Sequence, residues 1–180
     1  MTTPDTRIAA AAESLLFASP EPLTAERIGA ILEISTEEAQ SALESLCDGA
    51  YENRGIHVVR VAGGYQMRTQ PDFALFVGRL LAAPPTRISR AAMETLAIVA
   101  YRQPVTLPEI EAIRGVDAAG VVKTLCDRGL IEDVGRKETI GRPVLYATTS
   151  VFLQHFGLNS VEDLPDLPDL TEIRDAGADE

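Results

Sequence analysis

Apolar residues along this chain fall first at helical and then at alternating spacing, and the whole order occurs twice. Leu15, Leu16 and Phe17 lie in an Ala-rich stretch from about residue 6 to 18. Ser19-Pro20-Glu21-Pro22 ends it, because proline lacks the amide proton a helix needs and restricts the residue before it. Thr24 is the expected N-cap of a second, short helix whose i, i+3, i+4 stripe is Ile28, Ile31 and Leu32. Thr36 begins a third, with Glu37 and Glu38 in the turn where the helix dipole favours acids, and with Ala39, Ala42, Leu43 and Leu46 facing inward. Gly49 lies near its end. The period then drops to two. Residues 56–61 and 65–69 flank Ala62-Gly63-Gly64, a hairpin signal because glycine supplies the positive φ of tight turns. Pro71 opens a further helix carrying Phe73, Phe76, Val77, Leu80 and Leu81, closed by a linker at Pro84-Pro85.

The second half repeats this plan. Ser89 caps a helix through Tyr101 with Met93, Leu96, Ala97 and Ala100 at helical spacing, and Pro104 ends the following turn. Thr106 caps a short helix bearing Ile110 and Ile113, which Gly115 breaks. Asp117 starts a third with Val121, Val122 and Leu125 inward, and Gly129 stops it before two strands at 130–134 and 144–148. Pro22-Leu23-Thr24 matches Pro104-Val105-Thr106, Ile28 and Ile31 match Ile110 and Ile113, and Leu46-Cys47-Asp48 matches Leu125-Cys126-Asp127. Three helices followed by a two-stranded hairpin describe a winged helix-turn-helix, and the internal repeat accounts for all these matches together. The expected fold is therefore α+β and predominantly helical. It has two tandem winged helix-turn-helix domains, residues 1–86 and 87–157, and a short acidic C-terminal tail, residues 158–180. Phe152 and Phe156 close the second domain.

Charge sharpens the division. Residues 1–86 hold 6 basic and 11 acidic side chains, residues 87–157 hold 9 and 8, and residues 158–180 hold 1 and 8, within a formal net charge of −11. Only the middle portion can meet a polyanion without strong repulsion. The tail, low in apolar residues and spaced by prolines, is predicted to be disordered without a partner. With 46% hydrophobic residues but no Trp, the cores must be aliphatic. The residues before Pro4 form no basic leader, and no apolar run approaches the roughly 18 residues of a membrane span. The expectation is a cytosolic protein in which Cys47 and Cys126 are buried free thiols.

The usual task of a winged helix is to place its third helix in the DNA major groove, which needs Arg, Lys, Asn or Gln on that helix. The first domain offers Glu37, Glu38, Gln40, Glu44 and Asp48 there, with no Lys or Arg. The second offers Lys123 and Arg128 against Asp117 and Asp127. Phosphate contacts dominate affinity, so any direct DNA binding is expected to be weak. Arg136, Lys137 and Arg142 cluster around the loop from Gly135 to Pro143, which reads either as an anion or partner contact or as a solvated turn. His57 and His155 have no Cys, His or carboxylate at ligand spacing, and no glycine-rich phosphate loop follows a strand. Catalytic residues, metal and cofactor are therefore expected to be absent. A hydrolase built on the scattered carboxylates would need acids that the pattern places on separate helices.

From Arg87 to Pro165 the chain resembles the second half of the bacterial segregation and condensation protein B family. The resemblance is carried by the run Met93-Glu94-Thr95-Leu96-Ala97-Ile98-Val99-Ala100-Tyr101-Arg102-Gln103-Pro104-Val105-Thr106, by Ile110-Glu111-Ala112-Ile113-Arg114-Gly115-Val116, by Gly129-Leu130-Ile131, and by Gly135-Arg136-Lys137-Glu138 with Gly141-Arg142-Pro143-Val144-Leu145-Tyr146. It implies a non-enzymatic subunit that supports chromosome condensation and segregation, found in the cytoplasm with the nucleoid. It also implies a homodimer formed largely through the first domain. The second domain would grip the central segment of a kleisin, segregation and condensation protein A, and through it a structural-maintenance-of-chromosomes ATPase. The family signature falls on Tyr101, Arg102, Pro104, Arg114, Gly115, Arg136, Gly141, Arg142, Pro143 and Tyr146. Of these, Tyr101, Arg102, Arg114, Arg136, Arg142 and Tyr146 are the expected partner-binding residues. Phe73, Phe76, Val77, Leu80 and Leu81 are the expected dimer contacts, because an exposed apolar stripe marks an interface. The alternative is a winged-helix transcription regulator.

Overall fold

Side-chain caps set most helix starts in the computed structural model, which describes residues 6–48, 51, 53–81 and 88–166. Helix α1 (Thr6–Ala18) buries Ala12 and Leu16. Thr24 begins α2 (Ala25–Leu32) by accepting the Arg27 N–H, and Glu33 ends it in the left-handed region at φ 57°. Ser35 and Glu38 exchange a capping box at the start of α3 (Thr36–Cys47), whose buried face is Ala39, Ala42, Leu43 and Leu46. Strands β1 (Ile56–Val61) and β2 (Gly64–Thr69) form an antiparallel hairpin. Its turn has two residues, Ala62 and Gly63, both at positive φ (52° and 74°). Gly64 is not in the turn. It pairs with Val61, and a Cβ there would lie 2.9 Å from the Leu23 carbonyl oxygen, so the glycine lets two backbones approach. Leu23 and Tyr65 exchange backbone hydrogen bonds of 2.9 Å at that point. A 3-10 turn (Pro71–Phe73) then leads into α4 (Ala74–Leu81).

The second domain follows the same plan with α5 (Arg90–Arg102), β3 (Val105–Thr106), α6 (Leu107–Arg114), α7 (Ala119–Asp127), β4 (Ile131–Arg136), β5 (Val144–Thr148) and α8 (Ser150–Phe156). Its antiparallel sheet runs β3-β5-β4, with Val105 opposite Tyr146. The Leu23–Tyr65 bridge of the first domain is the counterpart of that pairing, so the repeat extends to a strand too short for alternation to reveal. Each domain has its own core. In the first it centres on Ile28, Leu43 and Val61, and in the second on Leu96, Val99, Ile110, Leu125, Ile131 and Phe152.

Several apolar positions face elsewhere than their spacing suggested. Ile31 and Ile113, the matched pair, are both exposed. On α2 the buried arc runs through Ala25, Ile28 and Gly29, where a Cβ would already be 3.1 Å from the Ile34 carbonyl, and Ile31 falls off that arc. On α5 the buried face is Ala92, Thr95, Leu96, Val99 and Ala100, leaving Met93 and Ala97 exposed. Thr95 can be buried because its hydroxyl donates to the Ala91 carbonyl at 2.9 Å. Helix α7 starts at Ala119, two residues later than Asp117 suggested. The two cysteines are free and half-buried, and burial pushes both thiols up.

Residues 158–166, assigned by charge to a disordered tail, are ordered. Leu158 and Leu164 pack on the second core, the Asp163 carboxylate accepts the Asn159 and Ser160 N–H groups at 2.9 Å, and the Tyr101 hydroxyl donates to the Pro165 carbonyl at 2.7 Å. Two leucines and a capped turn outweigh the local acidity. The domains meet here: the Ala62 and Gly63 N–H groups donate to the carbonyls of Leu158 and Asn159 at 2.9 Å, and the Arg68 guanidinium donates to the Gln154 carbonyl at 3.0 Å. Gly49, the Pro84-Pro85 linker and the tail from residue 167 lie outside the described residues.

Candidate functional site

Neither third helix offers DNA a basic face. On α3 the Gln40 amide is held between Glu44 and the Tyr65 hydroxyl, both at 2.8 Å, and Glu44 pairs with Arg60 at 3.3 Å. On α7 the Lys123 ammonium is tied to Asp127 at 2.8 Å. No group of three or more His, Cys, Asp or Glu side chains among the described residues could hold a metal ion, and no helix among them is long and apolar enough to cross a membrane. The surfaces that remain are apolar or arginine-bearing, suited to protein contacts.

Helix α4 is one of these. None of its residues is buried: Phe76 is 62% exposed, Leu80 83% and Leu81 68%, and only Val77 is half-buried. Leu75, which the stripe of spacing did not include, is exposed as well. The helix is tethered at its start, where the Gln70 N–H donates to the Gly55 carbonyl and the Phe73 ring lies over Gly55. A helix that, apart from Gly78 and Arg79, is apolar and has no buried residue needs a covering surface.

The arginines and tyrosines of the second domain divide into distinct environments. Tyr101 and Arg102 end α5, and the chain passes through a cis Gln103-Pro104 bond into β3. The Gln103 side-chain oxygen accepts the N–H and hydroxyl of Thr148 at 2.6 and 2.9 Å, fastening this corner to β5. Tyr101 lines an apolar groove of about 330 Å³ with Met93, Ala97, Phe156, Leu158 and Leu164. Arg102 points into a different cavity, of about 350 Å³, lined also by Pro104, Val105, Glu109, Ala112 and Ile113. Glu109 is committed already. It accepts the Thr106 N–H (2.9 Å) and hydroxyl (2.7 Å) and pairs with the Lys137 ammonium at 2.5 Å. Lys137 first, then Thr106, holds its carboxyl down to about 2.

Lys137 links this cavity to the wing, where the Arg136 guanidinium donates to the Arg142 carbonyl at 3.2 Å and the Lys137 N–H to the Pro143 carbonyl at 2.9 Å. Gly141 (φ 83°) and Arg142 (φ 41°) make the turn, with Ile140 fully exposed at its tip. Gly135 also has positive φ, beside a bulge that leaves Val134 unpaired. Tyr146 is half-buried against the second core, and burial pushes its hydroxyl up. Arg114 stands apart: its side chain is only 9% exposed and faces Glu94 of α5 at 3.7 Å, so it ties two helices together rather than presenting a surface. The structure thus places Arg102 and the foot of the wing on one face, Tyr101 on another, and Arg114 inside. Glu109 was overlooked although Thr106-Leu107-Pro108-Glu109 is a capping box legible in the sequence.

The family model for segregation and condensation complex subunit ScpB matches residues 10–167. Segregation and condensation protein B of Symbiobacterium thermophilum is 48% identical over 154 residues, covering 85% of this chain and 70% of its own. The crystal structure of ScpB from Mycobacterium tuberculosis is 37% identical, covering 85% of this chain and 96% of that one, with a TM-score of 0.40. A crystal structure of a dimer of the ScpB N-terminal domain complexed with ScpA peptide is 35% identical over 42% of this chain and 95% of that one, with a TM-score of 0.39. Family membership rests on the sequence matches.

Proposed function

Since the chain belongs to the segregation and condensation complex subunit ScpB family, we propose that it acts as a non-enzymatic subunit of the chromosome condensation complex. In this reading it pairs with a second copy through α4 of the first domain. The second domain holds the central segment of a kleisin, and through it reaches the structural-maintenance-of-chromosomes ATPase in the cytoplasm, beside the nucleoid. The observation that carries the proposal is the apolar α4 with no buried residue. Its exposed leucines and phenylalanines are the material of a protein interface, where apolar and aromatic residues concentrate at the core.

The electrostatics support a protein partner over DNA. The acidic α3 and the Lys123–Asp127 pair on α7 leave little to release counterions from a duplex. The exposed arginines of the second domain, Arg102, Arg136 and Arg142, are by contrast residues favoured as interface anchors. Tyr101 and Tyr146 contribute through the surfaces they shape, one to the apolar groove and the other to the sheet.

The test is co-expression with the kleisin encoded in the same genome, followed by affinity purification at about 50 and 200 mM salt and a gel shift at both. The expected result is kleisin retained at both salts, with DNA binding weak and abolished at the higher. Submicromolar, sequence-selective DNA binding that persists at the higher salt, with no kleisin retained, would install the transcription regulator instead.

A further inference from the structure

We propose that the cavity between the end of α5 and α6 is the specificity pocket of the second domain, taking a carboxylate side chain and an adjoining apolar side chain from the kleisin segment. This rests on the kleisin reading above and goes further by naming the chemistry of the gripped residues. Two of the six lining side chains carry charge, Arg102 and Glu109. Glu109 is spent on the Thr106 cap and on Lys137. The Arg102 guanidinium is exposed and makes no ion pair or hydrogen bond with the described residues, so the cavity presents one available cation. Its planar fork of donors suits a carboxylate, which it can bind through two parallel hydrogen bonds.

The rest of the wall is apolar. Val105 forms a buried floor, Pro104 and Ala112 flank it, and Ile113 is 56% exposed. An exposed isoleucine beside an unpaired arginine selects an acid next to an aliphatic residue, and about 350 Å³ suits a few side chains rather than a folded surface. The backbone around Arg102 is already fixed, since the Gln103 side chain is fastened to Thr148 and the Glu109–Lys137 pair braces the opposite wall against the wing. Little ordering remains to oppose binding, the condition under which a small contact set gives useful affinity.

The test is calorimetric titration of the 180-residue chain with the kleisin central segment, using Arg102→Glu, Arg102→Lys and Ile113→Ser, with Arg128→Glu as an exposed charge-reversal control outside the cavity. Thermal melts of each check folding. Arg102→Glu is expected to weaken binding by about 30-fold or more, as loss of an interface arginine anchor does, and Ile113→Ser by about 10-fold. Arg102→Lys should fall between wild type and Arg102→Glu, because a lysine keeps the charge and loses the fork. Arg128→Glu should bind within about twofold of wild type. One acid-to-arginine change in the kleisin segment should restore binding to Arg102→Glu. Wild-type binding together with unchanged Arg102→Glu and Ile113→Ser would overturn the pocket while leaving the kleisin reading intact. Equal losses in Arg102→Glu and Arg128→Glu would reduce it to a general charge effect and overturn it too. Failure of the wild-type protein to bind would remove the kleisin reading and the pocket together.

Discussion

Truncating Leu80 to alanine tests the dimer face at its most exposed leucine. Leu80 is 83% exposed, and fully burying a leucine side chain is worth about 1.5–3 kcal/mol. In a two-fold pair the same residue is lost on both sides. Scaled by exposure and counted for both copies, with alanine keeping a small share, the truncation should weaken the pair by about 2–4 kcal/mol, or roughly 30- to 700-fold in dissociation constant. The isolated protomer should lose almost nothing, because no α4 residue is buried and exposed substitutions usually fall within about 0.5 kcal/mol. Sedimentation equilibrium over a dilution series measures the first effect. Thermal melts at concentrations where both proteins are monomeric measure the second, since association itself raises the melting temperature. An unchanged dissociation constant would place the interface elsewhere, and a large loss of monomer stability would mean that α4 packs within its own domain.

Three further outcomes follow from particular contacts. Gly64→Ala should lower the urea midpoint by about 1–3 kcal/mol of stability, because its Cβ would press on the Leu23 backbone at 2.9 Å, and a neutral result would refute that close approach. Glu109 contributes stability fully above its ordinary 4.5, and that contribution is lost as pH falls toward its folded value of about 2, where the native state no longer binds fewer protons than the unfolded one. Both partners of its ion pair are about two-fifths exposed, so the effect is small: urea midpoints should fall only slightly more steeply below about pH 5 than those of Glu109→Gln, and parallel curves would refute the assignment. Replacing Arg136 and Arg142 together with alanine should weaken kleisin binding without changing the melt, whereas Gly141→Val should lower the melt because φ is 83° there; normal binding by the double variant would move the contact off the wing.

Caps and turns were the most legible part of this fold. Thr24, Ser89 and Thr106 each sit where a side-chain oxygen can take an unsatisfied helical N–H, and Gly115 and Gly129 adopt the positive φ at which their helices stop; the Ser35 cap before Thr36 came only with the structure. These are local effects, readable a few residues at a time. Which way a short helix faces is not local. Ile31, Ile113 and Met93 satisfy a 3.6-residue period, yet the buried arc passes through Gly29 and Thr95, whose close backbone contact and internally bonded hydroxyl no hydrophobicity pattern reveals. Residues 158–166 escaped for a related reason: Leu158 and Leu164 are too far apart to form a stripe and find their partners on α5 and α8.

The candidate surfaces show the same divide. The apolar stripe of Phe73, Phe76, Val77, Leu80 and Leu81 was visible from the apolar positions that follow Pro71, and the structure leaves all but Val77 exposed. Arg114 looked like its fellow arginines in sequence and differs in being packed inside, its side chain 9% exposed and facing Glu94 one helix earlier. The Arg102 cavity could not be read from the chain, since half of its lining comes from α6, whose Glu109 is held by a wing lysine 35 positions beyond Arg102.

Native mass spectrometry of the 180-residue chain, alone and mixed with the kleisin central segment, reads pairing and kleisin capture in one experiment. The expected result is a species of two 19.3 kDa chains alone and the same two chains carrying the segment in the mixture. A single 19.3 kDa chain in both samples, with no segment bound, would contradict it.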